Sequence, residues 1–309
     1  GVFKMKKQLL IAAVAATMAT ATMADVSISG GSKINFTSSE TTGAATTNVF
    51  KHDIDLTVAG KTGATGVTLT VSNANSANDQ THKSALTVEN AFVTSQVGDL
   101  NIKMGQWADT SDSLLSNQTS VFNSGNFSVD TTIGGVNIAF DDANANDASV
   151  TVSGDVSGVS LSHEVGKTTT DTKINAEVAG ISIAYRVKGN DIANSDKTSL
   201  QLSKDFNGMT FTYASIDADS AVTVDADGYI GGSAIKEANA FGVKMDVAGN
   251  TVQAKRISIT DAAGDDKSTK LYLTRKLASG ATFEAVYTDT DNAVAADTSS
   301  LDLELAVKF

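Results

Sequence analysis

The chain has 309 residues, 35 acids against 23 bases, a net charge of −12, and neither Cys nor Pro. The acidic balance excludes the basic surface that phosphate binding needs, so nucleic acid is not an expected partner. Without Cys no disulfide contributes to stability, and after residue 24 no apolar run is long enough for a membrane-spanning helix.

The chain opens with the design of an export signal. Met5-Lys6-Lys7 is a short positive region, and Leu9 to Ala16 is an apolar run of about eight residues, too short to span a bilayer. Small residues follow through Ala24. Cleavage after Ala24 would leave Asp25 first; Ala19-Thr20-Ala21 offers a second small-x-small site. Residues 1–24 therefore read as a signal peptide with its upstream residues, and 25–309 as one domain. Removing the first 24 takes away Lys4, Lys6 and Lys7 and no acid, so the remainder is more acidic still.

From Val26 onward, apolar residues arrive singly at every second position, the period of a strand with one apolar and one polar face. Val26, Ile28, Ile34 and Phe36 mark the first strand, and Phe50, Ile54, Leu56 and Val58 the second. Val67, Leu69 and Val71 follow, then Leu86, Val88 and Phe92, then Leu100, Ile102 and Met104. Phe127, Val129 and Ile133 precede Val136, Ile138 and Phe140, and Val150 and Val152 mark a weak strand. Val159, Leu161 and Val165 come next, then Ile174, Ala176 and Val178. Ile181, Ile183, Tyr185 and Val187 alternate cleanly against Ser182, Arg186 and Lys188. Leu200 and Leu202, Met209 to Tyr213, and Phe241 to Val247 continue the series. Thr251 to Thr260 breaks parity at Lys255-Arg256, which predicts a bulge. Leu271 and Leu273, then Phe283 to Tyr287, lead to the last strand. There Leu301, Leu303, Leu305, Val307 and the terminal Phe309 share one face, with Asp302, Glu304 and Lys308 on the other.

This pattern predicts an all-β chain, a closed antiparallel transmembrane barrel of roughly 16 to 18 strands. A closed sheet with one apolar and one wet face buries little interior and leaves no backbone edge in lipid. Connections alternate in length. Gly134-Gly135, Ala179-Gly180, Asn207-Gly208, Gly249-Asn250 and Ser279-Gly280 suit tight hairpins. Ser72 to Lys83, Trp107 to Ser124, Lys188 to Lys197, Asp217 to Lys236 and Asp289 to Ser299 are long. Short turns on the periplasmic rim and long loops on the outer rim complete the outer-membrane design. Phe36, Phe50, Phe140, Tyr213, Tyr272, Tyr287 and Phe309 are candidates for the aromatic belt at the bilayer interface.

Parity also sorts the charges. Lys33, Lys103, Lys173, Arg186, Lys188 and Lys244 fall on the polar face, which predicts pore-lining basic residues; Arg275 shares parity with Leu271 and Leu273. After the hairpin turning at Gly98-Asp99, alternation stops at Trp107-Ala108-Asp109-Thr110-Ser111-Asp112, the third long loop. Glu89, Ala91, Phe92, Val93, Gly98, Leu100 and Gly105, with the terminal Phe309 and the signal peptide, make the chain resemble the Gram-negative general-diffusion porins. The resemblance implies that the third loop folds into the barrel and narrows it, with Asp109 and Asp112 on the acidic side of the constriction. It also implies a homotrimer. The chain departs from the family in having three Arg, none in its first half, and no Pro.

Asp217-Ala218-Asp219 and Asp225-Ala226-Asp227-Gly228 lack the remaining ligands of a calcium loop and read as solvated acids. His52, His82 and His163 are far apart in sequence, and no metal-ligand spacing or Gly-x-Ser-x-Gly elbow occurs. No metal, cofactor or enzymatic activity is expected. The expected function is passive diffusion of small hydrophilic solutes and ions through the outer membrane, mildly cation-preferring because acids predominate. The expected surroundings are outer-membrane lipid and lipopolysaccharide. A plugged structural or adhesive barrel is the alternative. A secreted β-solenoid would need a fixed repeat, and none is present.

Overall fold

The computed structural model describes residues 25–75, 86–109, 121–142, 148–190, 196–223, 234–261 and 264–309. They form 18 strands in chain order. The first six are β1 (Asp25–Thr41), β2 (Thr47–Thr62), β3 (Thr65–Asn75), β4 (Thr87–Val97), β5 (Leu100–Asp109) and β6 (Val121–Ile133). The next six are β7 (Val136–Asp142), β8 (Ala148–Val156), β9 (Val159–Gly166), β10 (Thr169–Val178), β11 (Ile181–Asn190) and β12 (Lys197–Phe206). The last six are β13 (Met209–Thr223), β14 (Ala234–Val247), β15 (Asn250–Asp261), β16 (Asp265–Lys276), β17 (Thr282–Asp291) and β18 (Thr298–Lys308).

Each strand pairs antiparallel with its chain neighbours, and β1 pairs with both β2 and β18, so the sheet closes. Closure follows from the faces. Along the strands one set of alternate residues is largely apolar and many of its members are exposed, among them Ile28, Ile54, Val93, Ile138, Leu161, Phe241, Leu273 and Leu305. An open sheet with such a face would leave unpaired N–H and C=O groups in lipid at several kcal/mol each, roughly. Closing the ring removes that cost.

Tight turns gather on one rim. Ser157, Ala179, Asn207 and Ala248 all have φ near +50°, each followed by a Gly at positive φ, the geometry of the two-residue turns that match strand twist. One expected turn shifts by a residue: Ala248-Gly249 makes the turn, and Asn250 opens β15 and donates its side-chain amide back to the Val247 carbonyl at 3.1 Å. The opposite rim is less uniform than the loop lengths imply. Lys167 and Thr168 alone join β9 to β10, and residues 42–46 join β1 to β2.

Three local readings are overturned by register. No bulge occurs at Lys255-Arg256: Phe241 pairs with Arg256 and Gly242 with Lys255 without interruption, and the irregularity lies between Ile235 and Glu237. The parity break arose because Ile257 and Ile259 are lumen-facing apolar residues, exposed 0% and 1%. Phe92 leaves the lipid face because Glu89 is an extra residue in β4; Thr70 pairs with Asn90 but Val71 with Val88. Tyr272 is not in the aromatic belt, since its register neighbours are Gln253 and Val286 and its ring receives the Lys255 ammonium at 4.9 Å from its centre.

The seam is fastened at the chain end. Gly30 N–H donates to the Phe309 carbonyl at 2.9 Å and Phe309 N–H to the Gly30 carbonyl at 3.0 Å. A Cβ on Gly30 would stand 2.8 Å from Phe309 Cζ. The terminal ring therefore lies across β1 where the missing side chain leaves room for it.

Candidate functional site

The site is the lumen wall. Register carries one face continuously around the ring. Lys33 pairs with Asp53 of β2 and with Ala306 of β18; Asn35 pairs with Glu304 and Thr37 with Asp302. On the same face lie Thr70 and Ser72 of β3, Asn101 and Lys103 of β5, and Ser128 and Asp130 of β6. Asn137, Ser153, Ser162, Lys173, Arg186, Ser199, Gln201 and Thr212 continue it. These are hydroxyls, amides and charges, the groups that hold water.

Hydrogen bonds tie this face together. Asp130 Oδ2 accepts from Asn101 Nδ2 at 3.0 Å and from Asn137 Nδ2 at 3.2 Å. Thr37 Oγ1 donates to Asp302 Oδ1 at 2.5 Å across the seam. Two shallow recesses of about 310 and 360 Å³ indent the wall between β6 and β12, lined among others by Asn137, Ser160, Asn175 and Ser182.

The six predicted basic residues divide by environment. Lys33 Nζ lies 3.5 Å from Asp53 Oδ2. Lys173, Arg186 and Lys188 form one group on β10 and β11 around Asp171, a carboxylate in a residue only 6% exposed. Arg186 Nε donates to Asp171 Oδ1 at 2.8 Å and Oδ2 at 3.0 Å, and Arg186 Nη2 also donates to Oδ2. Lys173 Nζ stands 3.7 Å from the same Oδ2, and Lys188 is the register partner of Asp171 and of Lys197. Lys244 lies apart on β14, between Thr210 and Gln253. Lys103 is held at the ring faces of Phe92 and Trp107. Asp109 is the last residue of β5, and Asp112 lies outside the described residues.

Sequence reading missed Asp171 and Lys197. Asp171 shares parity with Lys173, which was available; its pairing with Arg186 needed the fold. It also missed how charge is distributed. Asp130, Asp141, Asp155 and Glu164 occupy the lumen face of β6 to β9, while Lys255 and Lys270 occupy that of β15 and β16, about halfway round the 18-stranded ring. A lumen flanked by acids on one side and amines on the other carries a transverse field. A third feature is an apolar strip on the lumen face of β13 to β15: Ala214, Ile216, Ala238, Ala240, Ile257 and Ile259, all buried. Among the described residues no group of His, Cys, Asp and Glu could hold a metal ion.

No family model matches the chain, and no curated protein does either. Solved structures do. Pseudomonas aeruginosa OccK11 (OpdR) superposes with a TM-score of 0.70 at 10% identity, over 92% of this chain and 96% of that one. P. aeruginosa OpdQ gives 0.70 at 10% identity, over 93% and 99%. Acinetobacter baumannii OccAB4 gives 0.67 at 10% identity, over 92% and 98%. The likeness is one of fold. What is shared is a closed antiparallel barrel, here of 18 strands with an apolar exterior.

Proposed function

We propose that the protein is a water-filled pore for passive diffusion of small hydrophilic solutes and ions, not an enzyme. The observation that carries this is the lumen face itself, polar or charged on almost every strand of a closed ring. Pores lined by charged side chains select by width and by the sign of the lining. The basic groups Lys33, Lys103, Lys173, Arg186, Lys188 and Lys244 line it; that Asp109 and Asp112 supply the acidic side of a constriction rests on the general-porin resemblance alone. Preference is mildly for cations, because the β6–β9 acids stand without a basic neighbour on those four strands, whereas Lys33 and Lys173 are each paired with an acid. Single-channel recording of the purified protein under a salt gradient tests pore and sign together. Silent bilayers would point to a plugged structural barrel; an anion-selective reversal potential would overturn the preference.

The same reading takes residues 1–24 as the export signal, which mass spectrometry of the mature amino terminus tests. The general-porin resemblance alone carries the homotrimer, and light scattering of the detergent complex decides it.

A further inference from the structure

Lys103, Phe92 and Trp107 meet on the lumen face of β4 and β5. Phe92 pairs with Thr68 and Gly105, and Lys103 with Thr94 and Ser128, so both stand with the polar set. Lys103 Nζ is 4.5 Å from the centre of the Phe92 ring and 4.1 Å from that of Trp107. The two rings meet edge to face at 6.4 Å and 76°. Trp107 is only 8% exposed although it faces a lumen. An ammonium held against two π faces is fixed in place by the ring quadrupoles. It does not swing into the channel as a flexible point charge on a long stem would.

Two irregularities build the cluster, and neither serves the apolar exterior. The extra residue Glu89 turns Phe92 inward, away from the face of Val88 and Ala91. The ladder between β5 and β6 shifts between Gly105 and Trp107. Gly105 has φ +130°, and a Cβ there would overlap the Ala91 carbonyl, so the backbone at this step requires glycine. Irregularities of this kind re-aim side chains where a sheet does something other than pair. Trp107 stands two residues before Asp109, where β5 ends.

We propose that Lys103 is a positioning residue of the pore: clamped by Phe92 and Trp107, it holds the irregular β4–β5 wall in one arrangement and thereby sets the open-channel conductance. The proposal rests on the pore reading above. Because Trp107 is the single Trp of the chain, its fluorescence reports on the clamp independently of any current.

The test compares wild type with Lys103→Met, Lys103→Arg and Lys244→Met, each checked for folding by heat-dependent migration. Unitary currents are recorded in planar bilayers, and quenching of Trp107 by acrylamide is measured in detergent. Lys103→Met is expected to change unitary conductance, to raise the frequency of sub-conductance steps several-fold, and to raise quenching. Lys103→Arg, which keeps a cation for the rings, restores all three. Lys244→Met removes one lumen charge that no ring clamps and leaves quenching and the frequency of sub-conductance steps at wild-type values. If Lys103→Met behaves like Lys244→Met, Lys103 is an ordinary lining charge and the proposal is wrong. Should Lys103→Met not fold, Phe92→Leu opens one side of the clamp, and unchanged steps and quenching there overturn it equally. A silent wild type removes the pore reading; unchanged quenching in Lys103→Met then removes the clamp as well.

Discussion

Asp171 shows how a single residue can depend on the ring. Its carboxylate is desolvated, and Arg186 returns the lost hydrogen bonds in a two-pronged contact. Arg186→Ala removes the hydrogen bonds to that carboxylate and leaves Lys173, 3.7 Å away, and the register partner Lys188 near it, and should cost on the order of 2 kcal/mol, the penalty of an under-satisfied buried acceptor. Arg186→Ala with Asp171→Asn should recover most of it. The temperature at which the compact form converts to the unfolded band on gels reads both, and a double variant no better than the single one would refute the pairing. Ala179 and Ala248 sit at φ 52° and 51°, a region that L-residues other than Asn and Gly enter at a cost of about 1 kcal/mol. Ala248→Asn should therefore raise the same transition temperature, and a lower value would show that the turn is built otherwise.

The β18–β1 seam holds the ring closed. Its register brings Asn35 beside Glu304, with Gly30 and Phe309 bonded to each other at the turn rim. The chain has no Cys, so a single engineered pair is a clean reporter. Asn35→Cys with Glu304→Cys should oxidise to a disulfide, since directly paired Cβ atoms lie about 5 Å apart, while Asn35→Cys with Asp302→Cys should not, since diagonal neighbours are about 7 to 8 Å apart. Crosslinking only in the second pair would move the register by two residues. Gly30→Val should slow or prevent closure, because the new Cβ would stand 2.5 Å from the Asp55 carbonyl oxygen and 2.8 Å from Phe309 Cζ. Adding Phe309→Ala removes only the ring contact, so the double variant should recover closure in part, and no recovery would place the whole collision at the Asp55 carbonyl.

Around the complete barrel, selectivity is a sum over the wall. Asp130, Asp141 and Asp155 stand on adjacent strands of one sector. Their joint replacement by Asn should move the reversal potential toward anions, and less so in high salt, where screening shortens the reach of each charge to about 3 Å at 1 M. No movement at low salt would mean that the β6–β9 wall does not meet the permeating ions. The exterior makes a separate demand: removed from detergent or lipid, the protein should precipitate, since Ile28, Phe50, Ile138 and Leu305 and their neighbours would face water.

Alternation of polar and apolar residues was sufficient to give strands, faces and closure, because side-chain direction in a strand is a local property with period two. It placed Lys33, Lys173, Arg186 and Lys188 on one side of the sheet and Leu301, Leu303, Leu305, Val307 and Phe309 on the other. It failed where one extra residue changes parity, at Glu89, and where lumen positions are themselves apolar, at Ile257 and Ile259. Register between strands belongs to pairs distant in sequence, so only the folded ring could set Asp171 against Arg186, Lys103 against Trp107 and Phe92, and Phe309 over Gly30. Their contact distances depend on hydrogen-bond pairing across the sheet, which no single strand encodes.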